Sequence, residues 1–557
     1  MEGSGRHAHD DLLDRTGSKG VNPVVFRIVR LLFLPFFLAY FRLGREGREH
    51  VPAEGPVIFA ANHRSFLDPF VISAIQKRPL YFVAKRELFE KSRLQRWFLN
   101  ALGAFPIDRG SGDDASMAVA RKILERGDGV MIFPEGTRVR PGPLGHARSG
   151  VGRLALETGA PVVPVAVFGT DDVRRGWRVY PRKITMRAGR PLTFPRVENP
   201  SRALAAAVAE RIWPCVELQW EWLGGTPPVR RVAIVGAGSW GTSLAVALAE
   251  SGLHVELGCR TSEDAEAILA AGENERFLPG IRIPDTIRVA RTTDLDLQRA
   301  DVVCLAVPAR DLPPVVGQIA DRLGRRTALL VLSKGLVPTG ELATAYVGSR
   351  AGGRPVACLG GPAHAGDMLE NGAAFAVAST DPDVAAQLRR MLTDAGFEAQ
   401  VSRDVVGVDL AGVAKNAAVL AASTASVLGP NAAGAAAGRV FAEVAAYGRT
   451  LGVEPETFTG LAGAGDLIAS IAASGGRNRR AGELLARGVP AADVTPQLGH
   501  VAEGIDSLPL LHEAFQRAGV RGPVVAQLAD VVAGGTTAVA FAEQITAPKR
   551  IVGVRVA

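Results

Sequence analysis

The sequence predicts an α/β chain in three parts: an N-terminal α/β domain, a Rossmann-type doubly wound domain, and a C-terminal all-α domain. Three observations carry this. Apolar runs at 57–61 and 129–133 each end on a polar, turn-rich motif, as buried parallel strands do. A further strand, 231–235, runs into Gly236-Ala-Gly238-Ser239-Trp240-Gly241 and an Ala-rich helix at 242–250. Beyond about residue 400 the pattern turns helical. A chain of 557 residues suits about three domains, and 47% hydrophobic residues exclude wholesale disorder.

Taken in order, residues 1–21 are polar with scattered acids, lack the order of a secretory signal, and are expected to form a disordered tail. Val24–Phe41 is apolar but interrupted by Arg27 and Arg30, and it contains Pro35. Its uninterrupted run from Leu31 is short of the ~20 residues of a spanning helix. At ~100° per residue Arg27, Arg30 and Arg42 share one arc, which describes a helix lying in a membrane interface.

Charge points the same way. The net charge is +8, divided as +11 over residues 1–225 and −3 over the remainder. A basic half can meet nucleic acid or lipid; without zinc-ligand spacing or aromatic-basic RNA motifs, an anionic membrane lipid surface is favoured over nucleic acid. Cys215, Cys259, Cys304 and Cys358 are far apart and form no C-x-x-C pair. That fits a reducing compartment, without a disulfide framework or structural metal. A cytoplasmic protein attached peripherally to the cytoplasmic membrane face is expected.

The strand at 57–61 ends at Asn62-His63, and His63 to Asp68 is an H-x4-D spacing. A loop leading into a helix can return the carboxylate to the imidazole, fixing its tautomer so that His63 can take a proton from a hydroxyl. The strand at 129–133 runs into Pro134-Glu135-Gly136-Thr137-Arg138, a glycine turn with a fixed arginine suited to a phosphate. Arg148 is a weaker candidate of the same kind. A Gly/Pro-rich linker is expected at 223–229.

Together these motifs resemble the glycerophospholipid acyltransferase family, particularly the 1-acylglycerol-3-phosphate acyltransferases. The blocks are Asn62–Asp68, Gly103–Arg109, Phe133–Arg138 and Val163-Pro164-Val165, within a domain at 22–222. The resemblance implies attack of a glycerol hydroxyl on an acyl thioester from acyl-CoA or acyl carrier protein. His63 would be the base and Asp68 its orienter; Arg109, Glu135, Gly136, Thr137 and Arg138 would hold the acceptor phosphate.

In the second half, Gly236, Gly238 and Gly241 let the turn close and a pyrophosphate approach the helix start. No acid ends the next strand, His254–Leu257; Arg260 follows and leans the choice towards NADP over NAD. Strand ends at Pro308, Ser333-Lys334-Gly335 and Gly361-Pro362 would line the ligand crevice. Lys415-Asn416 stands among small apolar residues, where a lysine is costly unless paired or used. Asp466 and Arg477-Asn478-Arg479-Arg480 add a carboxylate and a basic cradle.

That order resembles NAD(P)-dependent glycerol-3-phosphate dehydrogenase over essentially all of 230–540, with a dinucleotide-binding part at 230–400 and a helical substrate part at 401–557. The resemblance implies that Lys415 donates a proton to the ketone of dihydroxyacetone phosphate, with Lys334 and Asp466 in the same catalytic network. Asn416, Ser470, Arg477 and Asn478 would hold substrate. Gly236, Gly238, Ser239, Trp240, Gly241, Arg260, Lys334, Arg477 and Glu503 would meet the cofactor; no metal is implied, and a homodimer through this half is a further expectation. His364 departs from the family's usual Phe, and Ser470 from its frequent Thr. The whole chain then reads as a bifunctional enzyme of glycerophospholipid synthesis. Glycerol 3-phosphate as the acyl acceptor, or a silent nucleotide-sensing second half, are the alternatives.

Overall fold

In the computed structural model, residues 20–85, 87–90, 92–107, 114–473 and 475–546 are described, and the chain divides at 227/228 into two units. Arg109 and residues 1–19 of the expected tail lie outside the described residues. Val21, placed in that tail from sequence, instead donates its N–H to the Tyr81 hydroxyl at 2.8 Å.

The first unit opens with helix α1 (Pro23–Tyr40), capped by the Asn22 side chain. Only Phe37 of its residues is buried, and Leu31 and Leu32 are 75% and 66% exposed. The strands of its main sheet are β1 (Gly44–Glu46), β2 (Val57–Ala61), β3 (Leu80–Lys85), β4 (Ala104–Ile107), β5 (Gly129–Ile132), β6 (Val162–Phe168) and β7 (Thr185–Ala188). They form one sheet in the order β1-β7-β6-β2-β5-β3-β4. Every β2 residue is buried, because α-helices and loops cover both faces of this mostly parallel sheet. Helix α2 (Asp68–Ser73) starts just beyond β2, and α3 (Arg202–Trp222) closes the unit over β6.

The second unit carries an eight-stranded sheet. Its strands are β8 (Arg231–Val235), β9 (His254–Cys259), β10 (Arg288–Arg291), β11 (Val302–Leu305), β12 (Ala328–Val331), β13 (Val356–Gly360), β14 (Ala374–Ser379) and β15 (Glu398–Ser402). The order is β10-β9-β8-β11-β12-β13-β14-β15, parallel except for the β13–β14 pair. Helix α4 (Ser239–Glu250) follows the glycine-rich turn. The helical part is organised on α5 (Val405–Ala425), buried along nearly its whole length, as expected for a helix apolar all round. Around it stand α6 (Pro430–Thr450), α7 (Asp466–Ala472), α8 (Arg477–Ala486) and α9 (Glu503–Arg517). Val408, Ala411 and Ala462 share one apolar core with the sheet residues Val303, Leu305 and Leu329.

Candidate active sites

In the first unit, β2 delivers His63 to the C-terminal edge of the sheet, and Asp68 opens α2 five residues later. The Asp68 Oδ2 accepts from His63 Nδ1 at 2.9 Å, Arg64 N at 2.6 Å and Ser65 N at 2.7 Å. Its Oδ1 accepts from the Thr170 hydroxyl at 2.6 Å. With four donors on it, this fully buried carboxylate is fixed in place and in turn fixes the orientation of the imidazole. The His63 ring also stacks on Phe133, with centroids 4.1 Å apart. Asn62 ties the ends of β2 and β6 together: its amide donates to Val167 O at 3.0 Å and accepts from Val167 N at 2.8 Å. Thr170 lies about a hundred residues from Asp68, and nothing local in the sequence marks it.

Glu135 is committed to the backbone around the site. It is buried, and its oxygens accept from His63 N at 2.6 Å and Gly145 N at 2.7 Å. Burial pushes its pKa up to about 7, while the Gly145 and His63 amides pull it back. The carboxylate latches two loops, with its oxygens taken by backbone amides. Gly136 takes a left-handed φ of +68°, and a Cβ on it would stand 2.9 Å from Arg148 Nε. Arg148 therefore lies against this turn, while Thr137 and Arg138 are exposed beside it. Arg64, which the sequence did not single out, is almost fully buried, lies 4.5 Å over the Trp220 ring and donates to the Gly142 carbonyl.

Glu135→Gln should leave one of the two buried amides facing an N–H donor. The expected result is a loss of about 1–3 kcal/mol in the stability of this unit, read by thermal unfolding. Because the folded pKa is raised, the stability Glu135 contributes is full below its ordinary value near 4.5 and is lost as pH rises through about 7. The Gln variant should lack that slope.

In the second unit, a cleft of about 1860 Å³ runs along the C-terminal strand ends. Gly236 turns with φ +112°, and a Cβ on Gly241 would stand 2.1 Å from the Gly236 carbonyl. A Cβ on Gly238 would meet nothing within 4 Å. The turn is thus closed by two glycines and open at the third, a fit for a dinucleotide pyrophosphate at the start of α4. Asn274 braces it, donating to Ala237 O at 2.9 Å and Thr242 Oγ1 at 2.8 Å. Ser239 and Trp240 begin α4 beside the cleft, and the Trp240 indole donates to Ala363 O at 3.0 Å. Arg260 lines the cleft beyond β9. So does Arg291, missed from sequence although it ends the neighbouring parallel strand β10.

The polar centre is built on Asp466. Lys334 Nζ donates to its Oδ2 at 2.5 Å and to Gly361 O at 3.3 Å; Lys415 Nζ lies 3.7 Å from its Oδ1. The Ser470 hydroxyl donates to Oδ1 at 3.4 Å. Burial pushes the Lys415 ammonium down to about 8, Asp466 raising it and Lys334 lowering it further. Burial alone would raise Asp466, but Lys334 and Lys415 outweigh it and hold its carboxyl below the ordinary value. Such a pair can hold and release a proton at neutral pH.

Two expected substrate contacts, Asn416 and Asn478, line the cleft and also join its walls. Asn416 donates to Lys334 O at 2.7 Å and accepts from Asn478 at 2.8 Å, and Asn478 accepts from Gly504 N at 2.9 Å. These amides splice α5, α8 and α9 to the strand end at Lys334. Arg477 is exposed at the start of α8 and lines the cleft. Glu503 also lines it, accepting from Ala309 N at 3.0 Å and Lys334 N at 3.3 Å. Among the described residues no group of three His, Cys, Asp or Glu side chains stands at metal-binding spacing.

Known proteins match this chain in two places. Residues 231–385 and 404–543 match the family models of the N- and C-terminal parts of NAD-dependent glycerol-3-phosphate dehydrogenase, and 42–168 match an acyltransferase model. A glycerol-3-phosphate dehydrogenase [NAD(P)+] of Bradyrhizobium sp. (strain ORS 278) is 38% identical over 311 residues, covering 93% of that protein and 55% of this chain. That of Geobacillus kaustophilus is 33% identical over 314 residues, covering 91% of that protein and 55% of this chain. The crystal structure of glycerol-3-phosphate dehydrogenase from Coxiella burnetii aligns with a TM-score of 0.55 at 28% identity, over 57% of this chain and 99% of that one.

Proposed function

Since the chain belongs over residues 231–543 to the NAD(P)-dependent glycerol-3-phosphate dehydrogenases and carries an acyltransferase domain before it, we propose that it performs two reactions of glycerophospholipid synthesis. One reduces dihydroxyacetone phosphate to sn-glycerol 3-phosphate. The other moves an acyl group from acyl-CoA or acyl carrier protein to 1-acylglycerol 3-phosphate, giving phosphatidate.

The observation that carries the first reaction is the Lys334–Asp466–Lys415 cluster beside the glycine-rich turn. Bound along that turn, a reduced nicotinamide supplies the hydride. Lys415 delivers the proton to the substrate's carbonyl oxygen, and Asp466 holds that ammonium in place. Arg477 meets the phosphate. Arg260 and Arg291 favour NADPH, because two guanidiniums at the strand ends suit a 2′-phosphate.

For the second reaction, His63 Nε2 takes the acceptor hydroxyl's proton as its oxygen attacks the thioester carbonyl. The proton then passes to the departing thiolate, and Asp68 stabilises the imidazolium in between. Arg109, Gly136, Thr137 and Arg138 hold the acceptor phosphate, and Arg148, which lies against the Gly136 turn, is placed to join them. The mostly exposed apolar α1 supports attachment to the cytoplasmic face of a membrane. Four free cysteines support a reducing compartment. A second reading, with glycerol 3-phosphate as acceptor, is favoured by the dehydrogenase on the same chain, whose product it is.

A coupled assay tests this with purified protein, dihydroxyacetone phosphate, NADH or NADPH, and labelled acyl thioester. Cofactor oxidation, with phosphatidate forming only when 1-acylglycerol 3-phosphate is added, supports the first reading. Lysophosphatidate appearing without added lysolipid replaces it by the second. Nucleotide binding with no oxidation would make the dehydrogenase half a sensor.

A further inference from the structure

Three arginines from three separate elements converge at the inner side of α1. Arg30 lies on the helix, Arg45 in β1, and Arg48 opens the short turn Arg48–His50. Their guanidiniums donate to three successive carbonyls at the end of α2: Arg30 to Ser73 O at 3.3 Å, Arg45 to Ala74 O at 3.1 Å, and Arg48 to Ile75 O at 3.4 Å. Successive residues are only ~3.8 Å apart at Cα, so the three cations crowd one another.

No described carboxylate answers them. Glu46, their nearest acid within β1, is paired with Arg187 at 2.7 Å. The pKa of Arg30 is lowered by burial first and then by Arg45 and Arg48, with no acid opposing. One arginine would satisfy the carbonyls at a helix end; three with no counter-ion leave a surplus of positive charge. Arg30 and Arg45 are half-buried and Arg48 is exposed, so the surplus is reachable from outside. On the same helix the side chains of Val24, Ile28, Leu31, Leu32 and Phe36 are exposed.

We propose that Arg30, Arg45 and Arg48 form a binding site for the phosphate of an anionic glycerophospholipid headgroup, taken from the lipid surface on which α1 lies. The site rests on the reading of α1 as an interfacial helix. Guanidinium forks suit phosphate oxygens, and a helix with its apolar face in the acyl boundary holds its flanking cations at headgroup level. The site would select anionic from neutral lipid, whereas the apolar face alone would bind either.

The test is flotation of the full chain with vesicles of phosphatidylcholine alone or mixed with phosphatidylglycerol. The wild type should partition more strongly onto the mixed vesicles. Arg45→Gln/Arg48→Gln should lose that preference, by about fivefold per arginine, and keep the weaker binding to phosphatidylcholine. If it binds the mixed vesicles like the wild type, the site is wrong. Arg48→Gln alone, exposed and with the longest carbonyl contact, serves if the double variant unfolds: a loss of about fivefold supports the site, and an unchanged partition overturns it.

Leu31→Glu/Leu32→Glu separates the two ideas. It should abolish binding to both vesicle types; if it does not, the interfacial helix falls and the lipid assignment with it, whereas failure of the arginine variants alone removes only the headgroup site. Inorganic phosphate that raises the Tm of the wild type but not of Arg45→Gln/Arg48→Gln, without competing for vesicles, would mark a free-anion site and overturn the lipid assignment.

Discussion

Lys415→Ala should cut reduction of dihydroxyacetone phosphate by about 10²–10⁴-fold in kcat, the usual reach of a positioned proton donor. Nucleotide binding should survive, because the glycine-rich turn belongs to β8 and α4, while Lys415 stands on α5. Two cations share the single carboxylate of Asp466, so removing one leaves Lys334 still paired at 2.5 Å and the cleft intact. In the wild type the reduction should slow as pH climbs through about 8, where the buried ammonium gives up its proton. Steady-state oxidation of NADPH across pH, beside a fluorescence titration of nucleotide binding, measures both. A variant that keeps its rate would remove Lys415 from the chemistry.

His63→Ala should reduce acyl transfer by a similar ~10²–10⁴-fold and leave the dehydrogenase rate untouched. The Nδ1 edge of the ring is committed to Asp68, which leaves Nε2 as the edge that can reach a hydroxyl. The carboxylate left behind keeps its donors Arg64 N, Ser65 N and Thr170 Oγ1, so the loop should not collapse around the lost imidazole. Labelled acyl transfer and thermal unfolding, run on the same preparation, separate a lost base from a lost fold. Undiminished transfer would sink the mechanism.

Residues that act over short chain distances were legible in the sequence. His63 and Asp68 are five apart, and a loop entering a helix can close only a few ways. The glycine turn at 236–241 could be read because strand and helix flank it. The carboxylate of Glu135 could not be placed, since its two amide partners come from loops that only the folded sheet brings together. Thr170 was invisible for the same reason. Asn416 and Asn478 were picked out for their chemistry, but the bonds each makes to a partner sixty or more residues away could not be read. The antiparallel turn of β14 also escaped notice, because an apolar strand carries no mark of its direction. The apolar run of α1 was evident, but its arginine neighbours on β1 and beyond were not, because they gather around the end of α2.

The carboxylate of Glu503 reaches from the first turn of α9 to the backbone at Ala309 and Lys334, and Val408 and Ala411 of α5 lie in the same apolar core as the strands. Nucleotide-binding and helical parts are therefore riveted across their seam. Division of labour along the chain does not follow its secondary structure: a cut near residue 400 would bare an oily face and part Lys334 from Asp466. The chain divides into its two units at 227/228, not where sheet gives way to helices, so a fragment that keeps this seam whole begins at Pro228.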